Sequence, residues 1–309
     1  MNRPETEAHA PSCMDPHDSE ALSLDEAVAR IRSSITPVPG TETLDLRSAL
    51  GRVLAQNVVS AVDVPPHTNS AMDGYALSGA DLPQDRPRRY AVIGTAWAGR
   101  PFTGTVDPGQ CVRIMTGAPL PPGCDTVVIQ EHVTREGDSA TLGPDNKAGQ
   151  HVRPAGEDIS AGDIALADGT LLRSAHLGLI ASLGIGEVRV RRLPVIAFFS
   201  TGDELRGIGE TLADGQIYDS NRYSLFGMLT RMGLPVLDMG VIRDRREDVE
   251  RAFLDASQVA DAIITSGGVS VGEADFVTDT LARVGSVDFW KIAMKPGRPV
   301  AFGRVGDAL

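Results

Sequence analysis

Apolar residues recur along this chain with two different periods, and the change from one to the other divides it. Leu24, Val28, Ile31 and Ile35 return at helical spacing behind Ser23-Leu24-Asp25-Glu26, whose serine and glutamate stand three apart as in a capping box. The pattern predicts a helix that stops before Pro37 and a short second one around Ser48–Ala55. From about Val62 to Asp163 the helical period is gone. Tyr90–Gly94, Cys111–Met115 and Thr126–His132 are short, β-branched runs separated by turns such as Pro121-Pro122-Gly123. They predict a small all-β domain inserted in a helical and β frame. That frame resumes with a helix over Ser174–Leu183, capped by Ser174 and ended by Gly184, and an exposed alternating strand, Glu187–Arg192.

Beyond Leu193 strands and helices alternate. Strand Val195–Phe199 leads to helix Asn221–Met232, strand Val236–Val241 to helix Arg245–Ala256, and strand Ala262–Thr265 to helix Phe276–Val284. Strands Val287–Ile292 and Val300–Phe302 follow, the last with an unpaired edge because only a few polar residues come after it. Short apolar strands in this rhythm predict a three-layer α/β domain with a mostly parallel sheet.

Composition narrows the function. Lys+Arg 29 against Asp+Glu 41 leave a net charge of −12, which repels a phosphate backbone and argues against nucleic-acid binding, though not against a small anion at a local site. The three cysteines form no CxxC pair and the six histidines no HxxxH or HxH spacing, so neither a disulfide framework nor a zinc site is expected. The acidic start, MNRPETEAHAPSCMDPHDSEA, has no apolar core region and reads as a disordered tail, not a signal peptide. No apolar run approaches the ~18 residues of a membrane span. The expectation is a cytoplasmic protein with no membrane contact.

In a parallel α/β sheet, ligands bind outside the carboxyl ends of the strands. Those ends carry Ser200-Thr201-Gly202-Asp203-Glu204, then Asp244, then Ser266-Gly267-Gly268-Val269-Ser270 leading to Asp275; Lys291 and Lys295-Pro296-Gly297-Arg298 come before the last strand. Singly these are ordinary: Asp244 reads as a helix N-cap, Thr201-Gly202-Asp203 as a turn. Together they are not. Backbone N–H groups freed by Gly267 and Gly268, with the hydroxyls of Ser266 and Ser270, can hold a phosphate. Carboxylates beside a phosphate need a hard cation between them, and Mg²⁺ accepts both kinds of oxygen. The β-rich block adds a second polar set at residues 65–76, 113–118 and 152–158.

The segments NSAMDGYA (69–76), RIMTGA (113–118), VRPAGEDI (152–159), STGDEL (200–205), TSGGVSVGEADF (265–276) and KIAMKPGRPVAFG (291–303) resemble, in the same order, the MoeA-type molybdopterin molybdenumtransferases, the family that includes the gephyrin E domain. The similarity runs from about Leu22 to Gly303. It implies a tail over 1–21, a MoeA N-terminal region over 22–192 with its inserted β domain at about 62–162, and a molybdopterin-binding α/β domain over 193–309. It also implies an activity: molybdate is inserted into adenylated molybdopterin and AMP is released, with Mg²⁺ assisting.

By position, the resemblance assigns Glu204, Asp244 and Asp275 to the metal and nucleotide phosphate. It gives Lys291, Lys295 and Arg298 to the anionic substrate, along with Ser266, Gly267, Gly268 and Ser270. Asp73, Thr116, Arg153 and Asp158 belong to the inserted domain, which in the family completes the site across a homodimer. Molybdopterin adenylyltransferase is a further expected partner.

Two departures stand out. Arg298 replaces the lysine common in this motif, and the family continues past AFG into a further strand and a C-terminal β-barrel, so a truncated α/β domain is expected here. The alternatives are a molybdopterin-binding fragment or scaffold without turnover, and a molybdopterin adenylyltransferase, which shares the α/β domain but lacks the NSAMDGYA block.

Overall fold

The computed structural model describes residues 21–267, 276–294, 297 and 299–309. The predicted tail, up to residue 20, lies outside them. The described chain divides into two compact units, Thr41–Arg191 and a second built from the segment ending at Gly40 together with Arg192–Leu309.

Thr41–Arg191 holds a six-stranded sheet in the order Thr126–Ile129, Gly74–Leu77, Gln110–Ile114, Arg88–Ala96, Ser139–Leu142, Val133–Glu136. Every neighbouring pair is antiparallel except Arg88–Ala96 with Gln110–Ile114. Gly74–Leu77 is buried along its whole length because the sheet has apolar material on both faces. Tyr75, Leu77, Tyr90, Cys111 and Val128 pack on one side, and Ala76, Val112, Ile114 and Val127 on the other. The frame around this sheet has its own core, in which Leu54, Leu172, Ile180, Val188 and Val190 are buried. Within it Glu187–Arg191 alternates exposed and buried, as predicted, and pairs antiparallel with Thr41–Asp45.

Two local expectations in this unit are corrected. Residues 46–51 form turns, not the helix expected around Ser48–Ala55. Asp45 Oδ1 accepts the N–H groups of Arg47 (3.0 Å) and Ser48 (3.2 Å), and Gly51 takes φ +78°, both of which favour a turn over a propagating helix. The helix Ser174–Ser182 does form, but its N-cap is Arg173, whose N–H donates to the His176 ring 3.2 Å away. Ser174 is its first residue, not its cap.

In the second unit, helix Leu24–Ser34 begins with the predicted capping box: Glu26 N–H donates to Ser23 Oγ (3.2 Å) and Ser23 N–H to Glu26 Oε2 (2.9 Å). Of the predicted stripe only Ile31 faces inward. Ala27 and Ile31 pack on Phe289 and Ile292, while Leu24, Val28 and Ile35 are exposed. The central sheet is parallel, with Ile196–Thr201 between Val236–Ile242 and Ala262–Ser266. Helices Arg246–Ser257 and Phe276–Val284 pack on the side of Phe199, which meets Phe253 edge-on at 5.3 Å. Helix Ser220–Arg231 packs on the side of Phe198 through Leu225 and Leu229.

The last two predicted strands differ from expectation. Ser286–Lys291 and Pro299–Arg304 pair antiparallel with each other, and Phe289 stacks near Phe302. Pro299–Arg304 is therefore paired along one edge, in a two-stranded sheet. The residues after it are packed too: Val305 and Ala308 are buried, and Leu309 exchanges backbone hydrogen bonds with Asp261 and Ile263.

Candidate active site

The carboxyl ends of the three parallel strands bring several predicted residues together. The first strand ends at Thr201, and Gly202 turns the chain with φ +152°. Glu204 folds back over that glycine so closely that a Cβ there would lie 2.6 Å from Glu204 Oε2. Next to it, the strand Ala262–Ser266 runs into Gly267, with φ +98°; a Cβ on Gly267 would stand 2.4 Å from the Thr201 carbonyl oxygen. Both turns favour glycine by conformation, and at Gly267 the close approach of the Thr201 backbone demands it as well. Ser266 Oγ accepts from Asn221 Nδ2 at 3.2 Å, so the start of the third loop is tied to the helix that follows the first strand.

Asp244 follows the second strand, Val236–Ile242, but does not cap the next helix. The N-cap of Arg246–Ser257 is Arg245, with no side-chain cap. Asp244 instead meets other acids. Its N–H donates to Asp203 Oδ1 at 3.4 Å, and its carboxyl is held above the ordinary carboxylate range by partial burial and by the charges of Asp203 and Glu204. Asp203 is not among the site residues expected from the sequence; adjacency to Glu204 at a strand end is the signal that marks it. Asp203, Glu204 and Asp244 thus bring like charges together at this strand end, at a cost borne by the Asp244 carboxylate. Among the described residues no group of three or more His, Cys, Asp or Glu side chains is arranged to hold a metal ion.

Lys291 ends the strand Ser286–Lys291, opposite Pro299 in the hairpin and not in the parallel sheet. Gly268, Ser270, Asp275, Lys295 and Arg298 lie outside the described residues.

The other unit knits its three motifs into one polar patch. Thr116 donates both its N–H (2.8 Å) and its hydroxyl (2.7 Å) to Asp73 Oδ1, which lowers the Asp73 pKa, the backbone bond contributing most. Ser70 N–H donates to the Ala118 carbonyl, and Gly117 N–H, at φ +79°, to the Ser70 carbonyl. Asn69–Ser70 pairs in turn with Val152–Arg153. Arg153 binds both Glu157 and Asp158, the latter at 2.7 Å. Asp73 with Thr116, and Arg153 with Asp158, are thus assembled as pairs within one unit.

Two long stretches of the chain have counterparts among known proteins. Residues 22–184 match the MoeA N-terminal region (domain I and II), and residues 197–308 match a probable molybdopterin binding domain. A molybdopterin molybdenumtransferase of Haemophilus influenzae is 43% identical over 288 residues, covering 93% of this chain and 71% of that protein. This chain belongs to the MoeA family. A molybdopterin molybdenumtransferase of a Nostoc species is 35% identical, with 94% of this chain and 68% of that protein covered. Gephyrin of Dictyostelium discoideum is 32% identical over 91% of this chain and 43% of its own length. Among solved structures, the molybdopterin biosynthesis MoeA protein of Pyrococcus horikoshii superimposes with a TM-score of 0.78 at 31% identity, covering 93% of this chain and 73% of that one. The α/β architecture of the family is therefore present here.

Proposed function

We propose that this chain is a molybdopterin molybdenumtransferase, which inserts molybdate into adenylated molybdopterin and releases AMP in molybdenum cofactor synthesis. The observation that carries the reading is the pairing, at adjacent strand ends, of a crowded carboxylate cluster with a glycine-opened loop suited to a phosphate. The match of residues 22–184 to the MoeA N-terminal region speaks against an adenylyltransferase, and the match of residues 197–308 to a probable molybdopterin binding domain supports a pterin substrate.

The finer fold reading, three layers about a mostly parallel sheet, is part of this proposal, as is the assignment of the site residues. Glu204 and Asp244, with Asp275, would hold Mg²⁺. Hard carboxylate oxygens held together against their own repulsion fit that ion, and bound there it would neutralise charge on the phosphoanhydride. Gly267 and Gly268 leave N–H groups open for the phosphate, with Ser266 and Ser270 as hydroxyl donors. Lys291, Lys295 and Arg298 would balance the anionic substrate. In the other unit, Thr116 orients Asp73 as an ionised acceptor, and Arg153 is positioned by Asp158. Incubated with adenylated molybdopterin, the chain should release AMP only when molybdate and Mg²⁺ are both present. Release that ignores molybdate would sink the reading.

The working form is proposed to be a cytoplasmic homodimer that receives its substrate from molybdopterin adenylyltransferase. No helix among the described residues is long and apolar enough to cross a membrane. Each site would draw Asp73 from one subunit and the carboxylates from the other. Mixing the inactive variants Asp73→Ala and Asp244→Ala should then restore part of the activity, since one hybrid site stays intact. Mixed dimers that remain dead would place each site within a single chain.

A further inference from the structure

In the unit Thr41–Arg191, three neighbouring strands of the six-stranded sheet end together beside Asp73. Gly74 pairs with Ile114, and Ile114 with Ala96, so Asp73, Met115 and Trp97 stand in a row just past those pairs. Met115 N–H donates to the Ala96 carbonyl at 3.1 Å, which carries the register one residue beyond the strands. Strand alternation puts the row on the face of Tyr75 and Arg113, opposite Ala96 and Ile114. The guanidinium of Arg113 lies over the Tyr75 ring at 5.1 Å and contributes to lowering the Asp73 pKa, which places the carboxylate on that same face.

Trp97 is held rigidly. It exchanges two backbone hydrogen bonds of 3.0 Å with Arg100 across the two-residue turn Ala98-Gly99, where Gly99 takes φ +77°. The Ala98 methyl lies against Gly117, 3.9 Å from where a Cβ there would stand, so the hairpin is braced on the loop that carries Thr116. Arg100 sets its guanidinium over the indole, 5.8 Å from the ring centroid. The indole is nonetheless 45% exposed and joins none of the buried clusters of this unit among the described residues. Packing therefore does not account for it. Asp73 is fixed as firmly: Thr116 donates twice to Oδ1, while Oδ2 has no donor among the described residues.

We propose that this row seats a pterin ring, with the Trp97 indole as its stacking face and Asp73 Oδ2 as acceptor for the adjacent N–H groups of its 2-amino-4-oxopyrimidine edge. An exposed indole backed by a guanidinium offers a flat π-surface to a heterocycle. A carboxylate oxygen takes only donors, and a pterin presents two side by side, whereas adenine presents an acceptor beside its amino group. Two strand spacings, about 10 Å, separate Trp97 from Asp73, which a fused bicyclic ring and one hydrogen bond together span. The inference rests on the functional reading above, since the ring is the pterin half of the proposed substrate. It adds Trp97 and Arg100, which lie outside the sequence motifs.

The test is calorimetric titration of the full chain with 6-hydroxymethylpterin, lumazine, guanosine and adenosine. Lumazine keeps the fused ring but carries a carbonyl in place of the amino group, and guanosine shares the donor pair on a different ring. The native chain should bind the pterin about 10-fold more tightly than lumazine, the effect of one hydrogen bond to a charged acceptor. Trp97→Ala should weaken pterin binding about 10-fold, as expected for a lost stacking face, and Trp97→Phe should recover part of it. Neither should change the preference for pterin over lumazine. Asp73→Asn should erase most of that preference, whereas a merely structural Asp73 would weaken both probes alike. Unchanged pterin affinity in a folded Trp97→Ala chain, no pterin binding by the native chain, or equal affinity for pterin and lumazine overturns the proposal. Guanosine or adenosine bound more tightly than the pterin overturns its choice of ring. Pterin binding is read without molybdate or AMP release, so a failure of turnover would count against the functional reading alone.

Discussion

Asp244→Ala should lower AMP release by about 10²–10³-fold, the loss expected when several kcal/mol of charge stabilisation at a developing anion are removed. Its effect on stability should run the other way. The Asp244 carboxyl is held above its ordinary pKa by burial and by Asp203 and Glu204, so the folded state binds this proton more readily than the unfolded one. The ionised group therefore costs stability above the raised folded pKa, and the cost fades as pH falls toward the ordinary carboxylate range. At neutral pH without divalent ions, Asp244→Asn should raise Tm by about 1–3 °C. Added Mg²⁺ should stabilise the native chain by mass action and the variant much less. Thermal melts of both proteins with and without Mg²⁺ check this. A variant less stable than the native chain in metal-free buffer would show that these carboxylates do not strain the fold.

Gly267→Ala should be as damaging, for a different reason. The residue has φ +98°, and an added Cβ would stand 2.4 Å from the backbone oxygen of Thr201, which cannot move without disturbing the central strand. The two faults together should cost about 1–3 kcal/mol of stability. They should also shift the loop against Thr201 and remove most of the AMP-releasing activity. Urea unfolding and the AMP assay read the two effects separately. A stable, active Gly267→Ala chain would mean that the approach of loop and strand is dispensable.

Much of the fold was legible because it rests on local signals. Ser23 and Glu26 announce a helix start by themselves, and Phe198 and Phe199, fully buried on opposite faces of one strand, produce the apolar run that marks the central sheet. What escaped was decided elsewhere. The segment after Thr41–Asp45 carries helix-compatible residues, but Asp45 and Gly51 turn it. The pairing of Ser286–Lys291 with Pro299–Arg304 joins strands whose apolar content alone cannot distinguish parallel from antiparallel partners. At the site, Glu204 and Asp244 were legible as acids at strand ends. Asp203 was not, because it reads as a turn residue until the fold brings it to the backbone N–H of Asp244.

The central claim is that one site couples metal insertion to loss of the nucleotide. The most direct measurement is the ratio of molybdenum bound in the pterin product to AMP released, taken on the native chain over a time course with saturating molybdate and Mg²⁺. The account predicts one molybdenum per AMP throughout, with both signals falling together in Asp244→Ala. AMP released without molybdenum incorporation, or no AMP at all from the native chain, would contradict it.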